Sequence, residues 1–176
     1  MPKGVLYIGM DESNHGETKP RIGEVVVATC SYNHLFWDYK KSINRRNFSK
    51  IEEALNRGVN YFYTILPHEL AKENYSNLPL VAPFFVTHFL KSIRSASQIR
   101  LGLDGQLNRE DKGKLMDIFS EKDIQVNVLN FIKKNGVHYG PELIYLAHLI
   151  ANSTMNRSLI EIAGDDHFIP FNIINL

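Results

Sequence analysis

Cysteine is almost absent: Cys30 stands alone among 176 residues, so no disulfide can form within the chain. Long apolar runs are missing as well. Lys, Arg, Asn or His interrupts every hydrophobic stretch before the roughly 18 residues needed to span a bilayer. The first residues also lack the charged, apolar and small-residue segments of a secretory signal. These absences predict a protein of the reducing cytoplasm with no membrane segment. No internal repeat, low-complexity tract or linker divides the sequence, which predicts one domain over residues 1–176.

An excess of charge of one sign is lacking too, since 20 Lys and Arg against 19 Asp and Glu leave a formal net charge of +1. Bulk charge therefore neither demands nor forbids a nucleic-acid partner. Locally, Lys40, Lys41, Arg45, Arg46 and Lys50 fall close together with few acids between them. Such a segment would hold phosphates, and a solvated helix-and-loop surface has the same composition.

What is present is apolar residue in quantity, 44% of the chain, enough for one substantial core. Residues 5–10 and 21–30 read as two strands joined by a polar turn carrying Gly16 and Pro20. Ser49 followed by Glu52 has the spacing of a capping box that opens a short helix ending near Gly58. Residues 59–66 follow as a third strand, Pro67 suits the first turn of a short helix, and residues 80–97 have the apolar spacing of a longer one. Residues 98–103 form a fourth strand, Asn108 caps a helix to about 121, and residues 124–132 alternate like a fifth strand. Pro141 starts a helix to about 157 with Leu143, Leu146, Ala147 and Ile150 on its buried side. Residues 160–176 carry no readable element. Strands interleaved with helices in this order predict an α/β fold: a five-stranded mixed sheet flanked by helices.

Asp11 and Glu12 end one apolar strand and Asp104 ends another, and strand ends are where open α/β sheets gather functional groups. Side chains alternate along a strand, so Asp11 and Glu12 face the same way only if the strand is already ending. Carboxylates brought together repel and need protons or divalent cations to neutralise them, and oxygen-only ligands suit Mg2+ or Mn2+. Acids at strand ends also cap helices or face water, and the spacing alone leaves both alternatives open. His15, beside the acidic pair in a glycine-bearing turn, is a candidate general acid or base as well as an ordinary turn residue. His148, Asn152 and Asn156 share one helix face, with His148 read as a hydrogen-bonded helix residue rather than a ligand. Beyond them Glu161, Asp165, Asp166 and His167 are further polar groups able to fold back. Tyr61, Phe62 and Tyr63 read as strand aromatics rather than base-stacking groups.

The stretch Gly9-Met10-Asp11-Glu12-Ser13-Asn14-His15-Gly16, followed by the apolar run from Ile22 to Ala28, resembles the opening of the type 2 ribonucleases H. There a Gly-x-Asp-Glu-Ala-Gly-Arg-Gly motif precedes the second strand. Phe48-Ser49-Lys50 resembles that family's Asp-Ser-Lys segment, and Leu103-Asp104-Gly105 its second-aspartate strand. Residues 147–156 resemble its Ala-Ser-Ile-Ile-Ala-Lys-Val-Thr-Arg-Asp helix.

The resemblance implies a ribonuclease H-like fold and a nuclease that hydrolyses the RNA strand of RNA–DNA hybrids. Two divalent cations, Mg2+ or Mn2+, would bridge the phosphodiester, one activating water and the other stabilising the leaving oxygen. It implies Asp11, Glu12 and Asp104 as metal ligands, and Asn14, His15, Gly16, Ser49 and Lys50 as substrate contacts. Asn156 occupies the fourth carboxylate's position with one oxygen and no charge, a change that weakens the second ion most. Asn14-His15-Gly16 replaces the Gly-Arg-Gly turn that reads the ribose 2′-hydroxyl, and Asn152 replaces a lysine. Two other functions fit the same residues: a catalytically impaired module that binds nucleic acid or protein, and a nuclease for structured or single-stranded RNA or DNA.

Overall fold

A computed structural model of the chain describes residues 4–13, 23–41, 47–67, 77–92, 96–104, 109–120, 125–130, 132–134 and 137–171. β1 (Gly4–Ser13) lies at the centre of a mixed sheet. It pairs antiparallel with β2 (Glu24–Ser31) on one side and parallel with β5 (Ala96–Leu103) on the other. β4 (Asn60–Leu66) and β6 (Gln125–Asn130) complete the order β4-β2-β1-β5-β6. Every residue of β2 is buried, as expected of a strand covered on both faces and therefore apolar without interruption.

The period-two alternation sorts these strands into two faces. Leu6, Ile8 and Met10 of β1, with Val26, Ala28, Ile99 and Leu101, pack on α2 (Leu78–Ser92), whose Val81, Phe85 and Phe89 are fully buried. α3 (Arg109–Ser120) adds Leu115 to this layer. Each such side chain contributes about 1.5–3 kcal/mol on burial, so this face holds most of the core. Cys30 lies within it, where burial pushes its thiol up to about 12 against an opposing backbone hydrogen bond at Asn60.

The opposite face is covered by α4 (Glu142–Thr154), which is buried nearly all round. Its Ala147, Ile150 and Ala151 meet Val25, Val27 and Tyr63. Its Leu143 and Leu146 meet Tyr7, Phe36 and Trp37, the last two from a 3-10 turn at His34–Trp37. α1 (Ser49–Asn56) adds Ala54 to this second group.

Helix boundaries depart from the sequence expectations in instructive ways. The expected capping box at Ser49 does not form: Phe48 holds the N-cap position, and the Ser49 hydroxyl donates to Asn47 Oδ1 at 2.6 Å. A capping box forms instead at Ser158 and Glu161, opening α5 (Leu159–Ala163). The end of α1 does match its glycine signal. Gly58, at φ +85°, lets its own N–H reach Leu55 O and the Val59 N–H reach Ala54 O, the paired bonds of a Schellman stop.

Three short strands escaped the sequence reading. β3 (Tyr39–Lys41), β7 (Ile132–Lys134) and β8 (Val137–Pro141) form a second sheet in the order β3-β8-β7, and β8 runs directly into α4. An ion pair between Lys40 and Glu142, and a hydrogen bond from the Tyr145 hydroxyl to Lys40 O at 3.0 Å, lock this sheet to the helix. The residues after α5 run along the outer edge of β4, where Tyr63 N donates to His167 O and Ile169 N to Tyr63 O. Part of that edge is thereby capped. Among the described residues, no helix is long and apolar enough to cross a membrane.

Gly9 and Gly102 are register partners on β1 and β5, and α4 begins directly over them. A Cβ on Gly9 would lie 2.5 Å from the Leu143 carbonyl carbon and 2.6 Å from Ile144 N, both backbone atoms of the helix. Gly9→Ala is therefore expected to lower stability by about 1–3 kcal/mol in chemical denaturation. Gly113 on α3 has nothing within 4 Å of its Cβ position, so Gly113→Ala should raise stability by about 0.5–1 kcal/mol. Equal effects at the two glycines would refute the close approach of α4.

Candidate metal centre

The ladder between β1 and β5 continues one residue past its last strand pair. Asp104 N donates to Met10 O at 3.0 Å, which sets Asp104, just past the end of β5, beside Asp11, two residues before the end of the neighbouring parallel strand β1. Gly9, Asp11 and Ser13 all face α4, at the two-residue repeat of about 6.6 Å. Four residues of helix rise about 6 Å, so each strand position meets the helix one turn further on. Gly9 lies under Leu143 and Ile144, Asp11 meets His148, and Ser13 meets Asn152.

The contacts follow from that matching of repeats. Asp11 Oδ2 lies 2.6 Å from His148 Nδ1, and Asp11 Oδ1 accepts the Glu12 backbone N–H at 2.7 Å. The Ser13 hydroxyl lies 3.1 Å from Asn152 Oδ1 and 2.6 Å from Met155 Sδ. Asp11, Asp104 and His148 each offer one ligand atom, and the three atoms lie within 4.8 Å of one another. Asp11 is buried, whereas the His148 side chain is 27% exposed, so the group opens toward solvent along the helix. Nearby, burial pushes the Tyr145 phenol up to about 12; the Asp104 carboxylate adds to the rise and a backbone hydrogen bond at Gly140 opposes it.

Glu12, expected among the metal ligands, lies on the other face. β1 does not end at Asp11 but continues to Ser13, paired there with Val25, so alternation turns Glu12 toward α2. Glu12 Oε2 accepts the Asn77 backbone N–H at 3.1 Å, and Asn77 Nδ2 donates to Glu24 Oε2 at 2.8 Å. Both buried carboxylates thus hold the residue that precedes α2, at the end of the helix where negative charge is favourable.

Asn156 is also apart from the three-residue group. α4 ends at Thr154, two residues before it, and the exposed Asn156 amide turns back to donate to Asn152 O at 3.0 Å. Ser49 is occupied with Asn47, and the Lys50 ammonium pairs with Glu53 at 2.5 Å on the exposed side of α1. Asn14, His15, Gly16 and the capping residue Asn108 lie outside the described residues.

Of the later polar residues, Glu161, Asp165 and His167 have structural partners. Asp165 accepts from Arg157, from Tyr63 OH at 3.1 Å and from His167 N at 2.9 Å. Glu161 belongs to the capping box, and Asp166 is exposed. His167 stacks on Tyr61 with ring centroids 4.1 Å apart, Phe62 meets His88 edge-on, and Tyr63 is fully buried. These three aromatics pack within the protein, in keeping with their reading as strand residues.

His148 is a hydrogen-bonded helix residue, as its sequence reading has it, and the partner that the sequence did not reveal is Asp11. The four-residue stripe of His148 with Asn152 was visible, and matching that stripe to the two-residue stripe of Asp11 and Ser13 would have exposed the contact. One imidazole nitrogen and two carboxylate oxygens form a donor set able to hold a divalent transition-metal ion. Comparison with known proteins finds no matching family model and no matching curated protein.

Burial opposes ionisation of Asp165, but the Arg157 guanidinium, the His167 N–H and the Tyr63 hydroxyl prevail and hold its carboxyl down to about 2. An unfolded Asp titrates near 3.9, so this group's contribution to stability is complete above about pH 4 and fades as pH falls toward 2. Asp165→Asn should cost about 1–2 kcal/mol at pH 7 and flatten the stability profile between about pH 4 and 2. Denaturant titrations across that range provide the check; an unchanged slope would remove Asp165 as the hub.

Proposed function

We propose that this chain is a divalent-metal-dependent nuclease with a ribonuclease H-like fold, hydrolysing phosphodiester bonds in a cytoplasmic nucleic acid. The observation that carries the reading is the meeting of Asp11 and Asp104 on adjacent parallel strands, with His148 facing them from α4. The mixed sheet with helices on both faces, and the motif resemblance around Asp11 and Asp104, support the fold assignment. The RNA strand of an RNA–DNA hybrid is the substrate that the resemblance implies.

A bound Mg2+ or Mn2+ would supply positive charge at a phosphoryl oxygen and lower the pKa of water. The rest of the work falls to residues of the chain. Asp11 Oδ1 is held by the Glu12 backbone N–H, so the carboxylate keeps its orientation when its other oxygen meets an ion. The neutral Tyr145 phenol beside Asp104 adds no further negative charge against a phosphate. The exposed flank of His148 is the side from which a phosphodiester would approach.

Cleavage of a labelled RNA–DNA hybrid with Mn2+ or Mg2+ tests the proposal, with duplex and single-stranded RNA and DNA run alongside. Wild-type protein should cut, and Asp11→Asn and Asp104→Asn should abolish cutting while circular dichroism stays unchanged. Activity persisting in both variants would end the assignment of these roles. A second reading, a non-catalytic module that binds nucleic acid, is favoured by the commitment of Glu12 to α2 and the outward position of Asn156. It would show as salt-sensitive binding indifferent to EDTA, without cleavage.

A further inference from the structure

We infer that Asp11, Asp104 and His148 form a one-ion centre with a nitrogen ligand, selective for first-row transition dications over Mg2+. The inference deepens the nuclease reading and uses the same residues, but it concerns what the site binds rather than what it cuts.

Three observations carry it. The third member of the group is an imidazole, which offers a nitrogen within 4.8 Å of the Asp11 and Asp104 oxygens. Mg2+ prefers an octahedron of oxygens and keeps much of its water, whereas imidazole nitrogen suits Fe, Ni, Cu and Zn ions, and Mn2+, though it takes oxygen ligands as well, accepts a nitrogen more readily than Mg2+ does. Next, Glu12 is spent on the opposite face with Asn77, and Asn156 is exposed beyond the helix end. Among the described residues, Asp11 and Asp104 are the carboxylates of the group, and two ions about 3.5–4 Å apart need bridging and flanking oxygens from more than these two. Finally, the charges balance for one ion. Two carboxylates and a neutral imidazole carry a charge of about −2, which a single dication neutralises, while a second would leave the buried Asp11 site strongly positive.

The site also has the rigidity that selectivity requires. The α4 backbone is pressed against Gly9, and Asp104 is tied by its own N–H to Met10 O.

Mn2+ is the probe, because its electron spin resonance reports both stoichiometry and ligand type. Titration of the full chain should give one tightly bound Mn2+, with pulsed spectra showing modulation from a directly coordinated nitrogen. Mg2+ should compete roughly tenfold or more weakly. His148→Gln should remove the nitrogen modulation and bring the two affinities to within about threefold of each other. The wild-type nitrogen signal decides the question even if that variant folds poorly. Two equivalent Mn2+ ions, no bound Mn2+, equal competition by Mg2+, or no nitrogen modulation would each overturn the inference. The two proposals fail separately: a nitrogen-coordinated Mn2+ without cleavage keeps the centre and removes the nuclease. Mg2+-supported cleavage lost in Asp104→Asn, without nitrogen coordination of Mn2+, does the reverse.

Discussion

The close seating of α4 on the paired glycines Gly9 and Gly102 is the constraint from which the candidate site follows. With Leu143 and Ile144 backbone where a Cβ would otherwise stand, the helix axis comes nearer to the sheet than larger side chains would allow. Trp37 and the Ile144 side chain close over Gly102 at 3.1 and 3.0 Å from its Cβ position. Only at this separation can a short aspartate on β1 reach an imidazole on the helix. A pair of residues with side chains here would hold α4 further away, and Asp11 would face a gap of the size that water fills.

Three consecutive residues at the end of β1 serve two layers. Asp11 and Ser13 point to α4, and Glu12 between them points to Asn77 before α2. Burying ionisable groups is expensive unless each finds partners, and the strand supplies them by different means on its two faces. On one side an imidazole and a backbone N–H hold Asp11. On the other, the N-terminal end of a helix and the Asn77 amide hold Glu12 and Glu24. The same segment thus ties the sheet to both covering helices, so loss of Glu12 would disturb the fold before any chemistry at Asp11.

The α/β class, the long strands and the principal helices were legible because their apolar periodicity is set by burial within single segments. Asp104 was legible as the end of an apolar strand for the same reason, whereas β1 runs two residues past Asp11. The role of Glu12 was not legible, because it turns on whether β1 stops at Met10 or runs on to Ser13, and that is decided by pairing with Val25 and Val26 across the hairpin. β3 and β7, at three residues each, are too short to show a period and exist through their pairing with β8. Ser49 and Ser158 show the limit of local motifs. Both precede a glutamate by three residues, yet only Ser158 caps, because Asn47 captures the Ser49 hydroxyl first. The pairing of His148 with Asp11, 137 positions apart, is a tertiary fact that neither segment encodes alone.

The C-terminal residues explain why that pairing can be held to the tolerance chemistry needs, about 0.5 Å in a functional constellation. A helix fixed at one end can still slide or roll on a sheet. α4 is fixed at its start by Lys40 on Glu142 and by the glycine pair, and at mid-length by Asp11 on His148. Just beyond its end, Arg157 is anchored by Asp165, which also accepts from Tyr63 at the core of β4. Ile162 and Phe168 add apolar contact against the Ala147–Ala151 side of the helix. A slip by one residue would break the anchors at both ends together with the central pair, so the position of His148 is set by the whole length of α4. The segment after the helix, which showed no pattern in sequence, acts as a strap that keeps a distant imidazole in register.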